Sequence, residues 1–347
     1  MPTATRRATI LPASPYDLDR VLLDPTRASS MPAIPILAAA ELPPFLATPL
    51  AGEFALHDRL HERPAAEFAP IAGTIRGLVT RGEIRIDAAL LDRLPALEII
   101  AVFGVGYDGV DVAAALARGV LVTHTPGVLD DDVADLAIAL MLCTARRIPA
   151  ADRFVRDDRW PTGPLPLARG MSRQRLGILG LGRIGRAIAR RAEGFGMSIA
   201  YTARAPKPDA PWRYLPDPVA LAAASDFLVV TTPGGAATRH LVDAHVLEAL
   251  GPEGILVNIS RGSVVDERAL ITALERGTIA GAGLDVFEDE PHVPEALRRH
   301  AHVVLTPHMG SATTRTREAM AALVVTNLRE HFAGRPVPTP VPECAGR

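Results

Sequence analysis

The chain is poor in cysteine, lysine and aromatic residues, and these shortages exclude several kinds of protein. Its two cysteines, Cys143 and Cys344, support neither a disulfide framework nor a CxxC metal pair, so we expect a reducing, cytoplasmic setting and no metal. No charge-free apolar run reaches the ~18 residues of a membrane span. No basic stretch is interleaved with aromatic residues, so nucleic acid is not an expected partner.

The length of 347 residues and the formal net charge of -2 indicate two packed domains with no polyanionic partner. The first thirty residues lack a continuous apolar core, which argues against a secretory signal. We therefore predict a poorly ordered extension over residues 1–31, with Met31 as a candidate for the natural start.

Apolar runs alternate with helical patterns along most of the chain, which predicts an α/β protein with parallel sheets. A long helix over residues 130–147 separates two series of strand candidates, and a last helix runs from about 311 to 332. The first series comprises residues 34–40, 77–80, 98–103 and 120–123. The second series comprises residues 175–179, 198–202, 227–231, 255–259, 282–284 and 303–305.

A glycine-rich turn, Gly180-Leu-Gly182-Arg-Ile-Gly185, directly follows the strand candidate at 175–179 and opens a helix. In such a turn the first glycine permits a tight bend, the second lets the backbone approach a pyrophosphate, and the third lets helix and strand pack closely. The glycine pattern alone is common by chance. Strand, turn and helix together predict a dinucleotide site, and a helix start without a ligand is the alternative.

The segment after the next strand candidate indicates which dinucleotide binds. An NAD enzyme usually places an acidic residue there, on the ribose 2′-hydroxyl. Residues 198–204 contain no acid; Arg204 is present instead, and the single lysine of the chain, Lys207, follows. Because an arginine can pair with a 2′-phosphate, we predict NADP(H). NAD(H) remains the alternative if Arg204 is only a solvated loop residue.

Three polar segments follow strand candidates of the second series, at the edge where a doubly wound sheet binds ligands. They contain Arg261, Glu290 and His308. Each residue has a plain alternative: an exposed turn arginine, one acid in an acidic loop, and a histidine before a helix. Their shared position behind a nucleotide fingerprint favours a joint role.

From about residue 75 to Phe332 these segments resemble the D-isomer-specific 2-hydroxyacid dehydrogenases, most closely their glyoxylate and hydroxypyruvate reductase branch. Besides the glycine turn and the three polar segments, the matching motifs are GVGYD at 104–108 and TPGVLDDDVAD at 125–135. Glu290 and His308 follow Arg261 by 29 and 47 residues, which also fits the family. The resemblance implies reduction of a small 2-oxo acid to the D-2-hydroxy acid.

The resemblance implies a role for individual residues. Arg261 would bind the substrate carboxylate and oxo group, His308 would be the acid/base, and Glu290 would pair with His308. The backbone N–H groups of Val105 and Gly106 would form a second carboxylate clamp. The implied cofactor contacts are Gly180, Gly182, Arg183, Ile184, Gly185, Ala203, Arg204, Lys207, Thr232, Pro233, Ile259, Asp285, His308 and Gly310.

The reaction requires these residue types for physical reasons. Hydride addition to a 2-oxo carbon places negative charge on oxygen, and an imidazolium is the proton donor best suited to neutral pH. A neighbouring carboxylate favours the charged imidazole, so the pair favours reduction. A guanidinium presents a planar fork that can hold the substrate and stabilise negative charge.

The family pattern also implies a domain arrangement. A flavodoxin-like substrate domain would cover residues 32–124, completed by 313–347, and a doubly wound Rossmann cofactor domain would cover 125–312, with hinge closure over the substrate. Residues 160–170 resemble the dimer arm of these enzymes, which implies a homodimer with Trp160 as a candidate contact to the partner's site. Val133 is a departure, because many NAD-using members have Thr there.

Three other readings of the sequence stay open. An NAD-dependent phosphoglycerate-type dehydrogenase often has a C-terminal regulatory domain, for which the ~15 residues after Phe332 are too few. In formate dehydrogenase a glutamine precedes the active-site histidine, whereas Pro307 does so here. A nucleotide-sensing corepressor-like module would keep the fold without turnover. The preferred acid is not predicted: glyoxylate, hydroxypyruvate, phenylpyruvate-type and branched acids are all candidates.

Overall fold

The computed structural model describes residues 33–346, so the predicted extension over 1–31 and the candidate start at Met31 lie outside the described residues. The chain divides into two compact units. Among the described residues, one unit comprises 33–105, Val112–Gly127 and 318–346; the other comprises Gly106–Asp111 and Val128–Arg317.

The first unit contains a five-stranded parallel sheet with helices between its strands. Its elements are β1 (Pro35–Ala38), α1 (Pro44–Glu53), β2 (Ala55–Asp58), α2 (Ala65–Ala72), β3 (Gly77–Arg81), α3 (Ala88–Asp92), β4 (Ile99–Phe103), α4 (Val112–Ala117) and β5 (Leu121–Thr123). The strand order is β2-β1-β3-β4-β5, and every pair is parallel. This is the doubly wound order of flavodoxin-like folds.

The sequence pattern predicts four of these five strands and misses β2. The residues of β2, Ala-Leu-His-Asp, are all at least partly exposed because the strand lies at an edge of the sheet. They form no apolar run and no clean alternation. The central strand β4, by contrast, is buried at every position and reads as a continuous apolar stretch, as expected for a parallel strand covered on both faces.

The second unit contains a seven-stranded parallel sheet. Its elements are α5 (Asp130–Ala145), α6 (Ile148–Arg156), β6 (Arg175–Leu179), α7 (Arg183–Glu193), β7 (Ser198–Thr202), β8 (Arg213–Tyr214), α8 (Pro218–Ala223), β9 (Phe227–Val230), α9 (Ala244–Leu250), β10 (Ile255–Asn258), α10 (Glu267–Glu275), β11 (Gly281–Leu284), α11 (Glu295–Arg299) and β12 (Val303–Leu305). The strand order is β12-β11-β10-β9-β6-β7-β8. The α/β class and both parallel sheets are therefore as predicted. All six predicted strands of this sheet are present, and the two-residue edge strand β8 is additional.

The order of the second sheet positions its ligand site. Successive strands run outward from β6 in one direction to β8 and then in the other direction from β9 to β12, so the order reverses between β6 and β9. All pairs are parallel, so the carboxyl ends of the strands share one edge. A doubly wound sheet binds its ligand in the crevice outside that edge at the reversal.

The last helix, α12 (Thr314–Phe332), continues into the first unit from Glu318 onward. There the Phe332 ring packs against Phe54, with ring centroids 6.1 Å apart, and Arg329 forms an ion pair with Glu53. Across residues 33–346, no helix is long and apolar enough to cross a membrane.

Candidate functional site

The glycine turn after β6 has backbone geometry that excludes side chains at two positions. Gly180 has a φ of 104°, and a methyl group there would lie 2.9 Å from the backbone nitrogen of Thr232. A methyl group on Gly185 would lie 2.4 Å from the Gly180 oxygen, so α7 packs closely on the turn. Gly182 is the N-cap of α7 and has no side-chain cap, and space around its Cα is open. A helix N-terminus of this kind is suited to an anion.

Thr231 and Thr232 follow β9, on the other side of the reversal in strand order. The Thr231 hydroxyl donates to the Gly180 carbonyl and so ties this segment to the turn. The Thr232 Oγ1 is buried and has no hydrogen-bond partner among the described residues. Since buried hydroxyls nearly always have a partner, this orphaned group beside the glycine turn fits a site that a bound dinucleotide completes.

The loop after β7 is basic and exposed. Arg204 and Lys207 are both exposed, and neither side chain forms an ion pair within residues 33–346. The Lys207 backbone N–H donates to the hydroxyl of the buried Tyr201 at 2.7 Å, which fixes the loop to β7. The first acid of the loop, Asp209, pairs with Arg186 at 2.9 Å. The unpaired cationic groups are therefore those nearest the end of β7.

Glu290 and His308 form a hydrogen-bonded pair. The Nδ1 of His308 lies 2.7 Å from Oε2 of Glu290. Because an ionised carboxylate can only accept, Nδ1 carries a proton and Nε2 is left for an external group. The backbone of His308 is left-handed, with a φ of 50°, and its N–H donates to the Asp285 carbonyl at 2.8 Å. A non-glycine residue held in this conformation is common at functional sites.

The carboxyl group of Glu290 experiences opposing influences on its pKa. Burial acts to raise the pKa, but the hydrogen bond and charge of His308, the backbone N–H of Phe287 at 3.0 Å and the charge of Arg261 together lower it below its usual range. The ionised form of Glu290 is therefore the favoured one in the folded protein.

Glu290→Gln is expected to cost stability at neutral pH. Because the folded pKa of Glu290 lies below the unfolded value, its ionised form stabilises the fold above the unfolded pKa, and that contribution disappears as pH falls through the folded pKa. We therefore expect the Tm difference between wild type and variant to shrink from pH 7 to pH values below ~4.3, the reference pKa of glutamate. Thermal unfolding measured across this range checks it, with Glu248→Gln, an exposed position on α9, as control. A Tm difference independent of pH would contradict the prediction.

Arg261 follows β10 in a turn that Asn258 organises. The buried Asn258 side chain donates to the Arg261 carbonyl at 2.9 Å and accepts from the backbone N–H and the hydroxyl of Ser260. The guanidinium then donates from Nη1 to the Ser260 carbonyl at 2.8 Å and from Nε to Asp108 at 2.9 Å. Asp108 lies in the predicted GVGYD motif, but the motif does not indicate this contact.

The two predicted backbone donors of this motif, Val105 and Gly106, lie in different compact units. Gly106 is beside Arg261, since a methyl group on Gly106 would lie 2.0 Å from Nη2 of the guanidinium. In the first unit, the Val105 carbonyl is 2.9 Å from Nδ1 of His124. Because this carbonyl belongs to the same peptide group as the Gly106 N–H, His124 constrains the orientation of that N–H.

Asp285 follows β11 and is almost fully buried. Burial raises the pKa of Asp285, while hydrogen bonds from the Thr306 hydroxyl at 2.6 Å and the backbone N–H groups of Met309 and Gly310 oppose the increase. A methyl group on Gly310 would lie 3.3 Å from Val133, so the valine presents an apolar surface where a threonine would offer a hydroxyl.

The other predicted cofactor residues lie at or near the ends of the same strands. Arg183 is held by Asp130 at 2.8 Å, and Ile184 and Ala203 are half-buried. Ile259 is buried after β10, and Pro233 is exposed after β9.

Two glycines next to this site were not among the predicted residues. A methyl group on Gly262 would lie 1.9 Å from the Phe287 carbonyl, so the Arg261 turn and the loop leading to Glu290 touch through a position that only glycine can occupy. A methyl group on Gly234 would lie 2.9 Å from the Arg261 side chain. The only signal in the sequence is their adjacency to other predicted site residues.

The chain belongs to the D-isomer-specific 2-hydroxyacid dehydrogenase family, as its motifs predict. The family model "D-isomer specific 2-hydroxyacid dehydrogenase, NAD binding domain" matches residues 138–310. Within the family, the similar proteins are glyoxylate and hydroxypyruvate reductases and related enzymes.

Three relatives illustrate the similarity. The chain is 50% identical over 268 residues to glyoxylate/hydroxypyruvate reductase A HPR2 of Arabidopsis thaliana, covering 77% of this chain and 86% of that protein. It is 46% identical over 312 residues to hydroxyphenylpyruvate reductase of Plectranthus scutellarioides, covering 90% of this chain and 100% of that protein. The structure of an NADPH-dependent glyoxylate/hydroxypyruvate reductase from Sinorhizobium meliloti, in complex with NADP and malonate, is 47% identical, with a TM-score of 0.85 and coverage of 89% and 97%.

Proposed function

We propose that this protein is an NADPH-dependent reductase that converts a small 2-oxo acid of the glyoxylate or hydroxypyruvate type to the D-2-hydroxy acid. The observation that carries the proposal is the Glu290–His308 pair, which lies at the same sheet edge as Arg261 and the glycine turn. The proposed reaction is supported by relatives named as glyoxylate/hydroxypyruvate reductases. The proposed cofactor is supported by the NADP complex of the Sinorhizobium meliloti relative.

His308 is proposed as the proton donor. Bound NADPH supplies a hydride to the 2-oxo carbon. As negative charge develops on the oxygen, the Nε2 proton of His308 is transferred to it, while Nδ1 stays hydrogen-bonded to Glu290. Glu290 holds the ring by accepting from Nδ1, since its own carboxyl group is kept ionised.

Arg261 and the 105–106 backbone are proposed to bind the substrate. Two of the five guanidinium N–H donors are used by Asp108 and Ser260, which leaves both donors on Nη2 for the carboxylate and oxo oxygen. The N–H groups of Val105 and Gly106 would bind the same carboxylate. These contacts orient the oxo carbon and stabilise negative charge during the reaction.

The dinucleotide would be held by groups on both sides of the reversal in strand order. The N-terminus of α7 would bind the pyrophosphate through Gly182, Arg183 and Ile184, and the Thr232 hydroxyl would gain a partner. Asp285 would accept from the nicotinamide carboxamide with its remaining lone pairs. The other proposed contacts are Gly180, Gly185, Ala203, Arg204, Lys207, Pro233, Ile259, His308 and Gly310.

Arg204→Ala is expected to weaken NADPH use selectively. A charge-assisted hydrogen bond to the 2′-phosphate contributes ~1.5–3 kcal/mol, so KM for NADPH should rise about 10- to 100-fold. KM for NADH should change little, because NADH has no 2′-phosphate. Steady-state kinetics with both cofactors check this, with the exposed Arg190→Ala on α7 as control. If the wild type turns over NADH faster than NADPH, the inference from Arg204 is wrong.

We propose that the first sheet, completed by α12, forms the substrate domain, and that the second forms the dinucleotide-binding domain. We also propose a cytoplasmic homodimer. Two free cysteines support the reducing compartment. Trp160 and Leu167, which are 67% and 98% exposed, support an interface in the arm at 160–170.

A panel of 2-oxo acids tested against NADPH and NADH is the direct test of the function. We expect NADPH oxidation with glyoxylate and hydroxypyruvate, with the D-2-hydroxy acid as product. A preference for NADH would favour a phosphoglycerate-type dehydrogenase or another NAD-dependent dehydrogenase of the family. Stoichiometric cofactor binding without turnover of any 2-oxo acid would overturn the proposed reaction and favour a corepressor-like module.

A further inference from the structure

Asp108 and Arg261 form an ion pair that spans 153 residues of sequence. The Nε of Arg261 donates to Oδ1 of Asp108 at 2.9 Å, and each side chain is 21% exposed. Residues 106–111 belong to the same compact unit as Arg261, so this short segment is packed with the turn that follows β10. The contact therefore joins two distant segments at the proposed substrate site.

Two glycines enclose this ion pair. A methyl group on Gly106 would lie 2.0 Å from Nη2 of Arg261 and 3.0 Å from Oδ1 of Asp108. A methyl group on Gly234 would lie 2.9 Å from Cγ of Arg261 and 3.0 Å from Oδ2 of Asp108. Side chains at either position would collide with the pair. The backbone thus approaches the ion pair from two sides, and the absence of side chains at both glycines leaves the space that the pair occupies.

The hydrogen bonds of Arg261 determine which edge of its guanidinium is presented. Nε is engaged by Asp108 and Nη1 by the Ser260 carbonyl, so the Nη2 edge is directed at Gly106. Gly106 carries one of the two backbone N–H groups proposed to bind the substrate carboxylate. A planar fork is useful only if its free edge faces the acceptor, since the donors of arginine have fixed directions.

We propose that Asp108 is a positioning residue, which rests on the proposed function: it holds Nε of Arg261 so that the Nη2 edge is prealigned with the Gly106 N–H for binding a 2-oxo acid. Without Asp108, the long arginine side chain can adopt other rotamers, and the productive one is populated less. Asp108 acts through Arg261 and does not itself touch the substrate.

The test is a kinetic double-mutant cycle in the full-length protein. Asp108→Ala is expected to lower kcat/KM for glyoxylate by about 10²-fold, the scale of loss when a catalytic group is misplaced by 1 Å. Asp108→Asn keeps an acceptor for Nε and should recover most of this loss. In an Arg261→Ala background, Asp108→Ala should have almost no further effect, because contacting residues that act together are not additive. Asp157→Ala, at an exposed site after α6, is the matched control.

Binding and stability measurements separate positioning from a merely structural role. The Kd for NADPH and the Tm of Asp108→Ala should match those of the wild type, while the affinity for oxamate, an unreactive analogue of a 2-oxo acid, should fall with NADP present. Additive losses in the Arg261→Ala background, or a wild-type kcat/KM in Asp108→Ala, would overturn the proposal. A loss of Tm shared by Asp108→Asn and Asp108→Ala would also overturn the proposal.

The proposal and the proposed function can fail separately. If the wild type reduces 2-oxo acids and Asp108→Ala does so equally well, only the positioning role is wrong. If the wild type binds oxamate but reduces no 2-oxo acid, the reaction is wrong, and the Asp108→Ala oxamate titration still decides the positioning role. If the wild type does neither, both are wrong.

Discussion

His308→Ala is expected to lower kcat for NADPH-dependent glyoxylate reduction by about 10²–10⁴-fold, the usual contribution of a general acid. The variant keeps Arg261, so the substrate still binds, but no side chain delivers a proton as charge develops on the oxygen. The Kd for NADPH should stay close to the wild-type value, because the phosphate contacts lie at the glycine turn. Stopped-flow absorbance measures kcat, and quenching of NADPH fluorescence measures the Kd for NADPH.

The control for His308→Ala is His245→Ala, an exposed histidine on α9. It should retain wild-type kcat and so shows that losing an imidazole is not itself harmful. A second test uses Glu290→Gln in the His308→Ala background. Because Glu290 acts through the imidazole, the double variant should be no slower than His308→Ala alone. A kcat of His308→Ala within about tenfold of wild type, or equal losses of kcat and NADPH affinity, would remove His308 from the acid role.

The strands of the second sheet were predictable because most of them are buried on both faces. The residues of β9, Phe-Leu-Val-Val, are all buried and read as one apolar run. The edge strand β8 has only two residues, one of them exposed, so it leaves no such run. Apolar runs therefore reveal the central strands and also the short edge strands β5 and β12, Leu-Val-Thr and Val-Val-Leu, whereas β2 and β8 are missed because their residues form no such run.

The order of strands explains why residues distant in sequence could be grouped. Arg261, Asp285 and His308 follow β10, β11 and β12, and parallel strands bring their carboxyl ends to one edge. This inference needs no distances. It identifies which residues share an edge but not which side chains pair, since pairing depends on loop conformations that no periodicity encodes.

Loop conformation accounts for what the sequence could not predict. His308 has a left-handed backbone, which residue type alone would not suggest, and the hydrogen bond to the Asp285 carbonyl holds it there. Gly262 is required because the Phe287 carbonyl would collide with any side chain at that position. Both features arise from contacts between loops, and a single sequence contains no direct signal of such contacts.

Arg261→Lys is expected to lower kcat/KM for glyoxylate by about 10²–10³-fold, although the positive charge is kept, because an oriented donor to the developing charge is lost. An ammonium cannot donate to Asp108 and Ser260 while presenting two parallel N–H groups to a substrate. A point charge also has no preferred plane, so the oxo carbon is less well oriented. KM for NADPH should remain near the wild-type value, and Arg268→Lys, at an exposed site on α10, is the control.

Arg261→Ala with added guanidinium separates geometry from charge. The truncation leaves a space beside Asp108 and Gly106 that a free guanidinium ion can enter, where Asp108 is available to bind it. We expect saturable recovery of glyoxylate reduction by guanidinium and much weaker recovery by ammonium, measured at constant ionic strength because exposed charge effects are screened by salt. Equal recovery by both ions would mean that Arg261 contributes only charge. Wild-type activity in Arg261→Lys would also mean that Arg261 contributes only charge, since this substitution preserves the charge and removes the planar guanidinium.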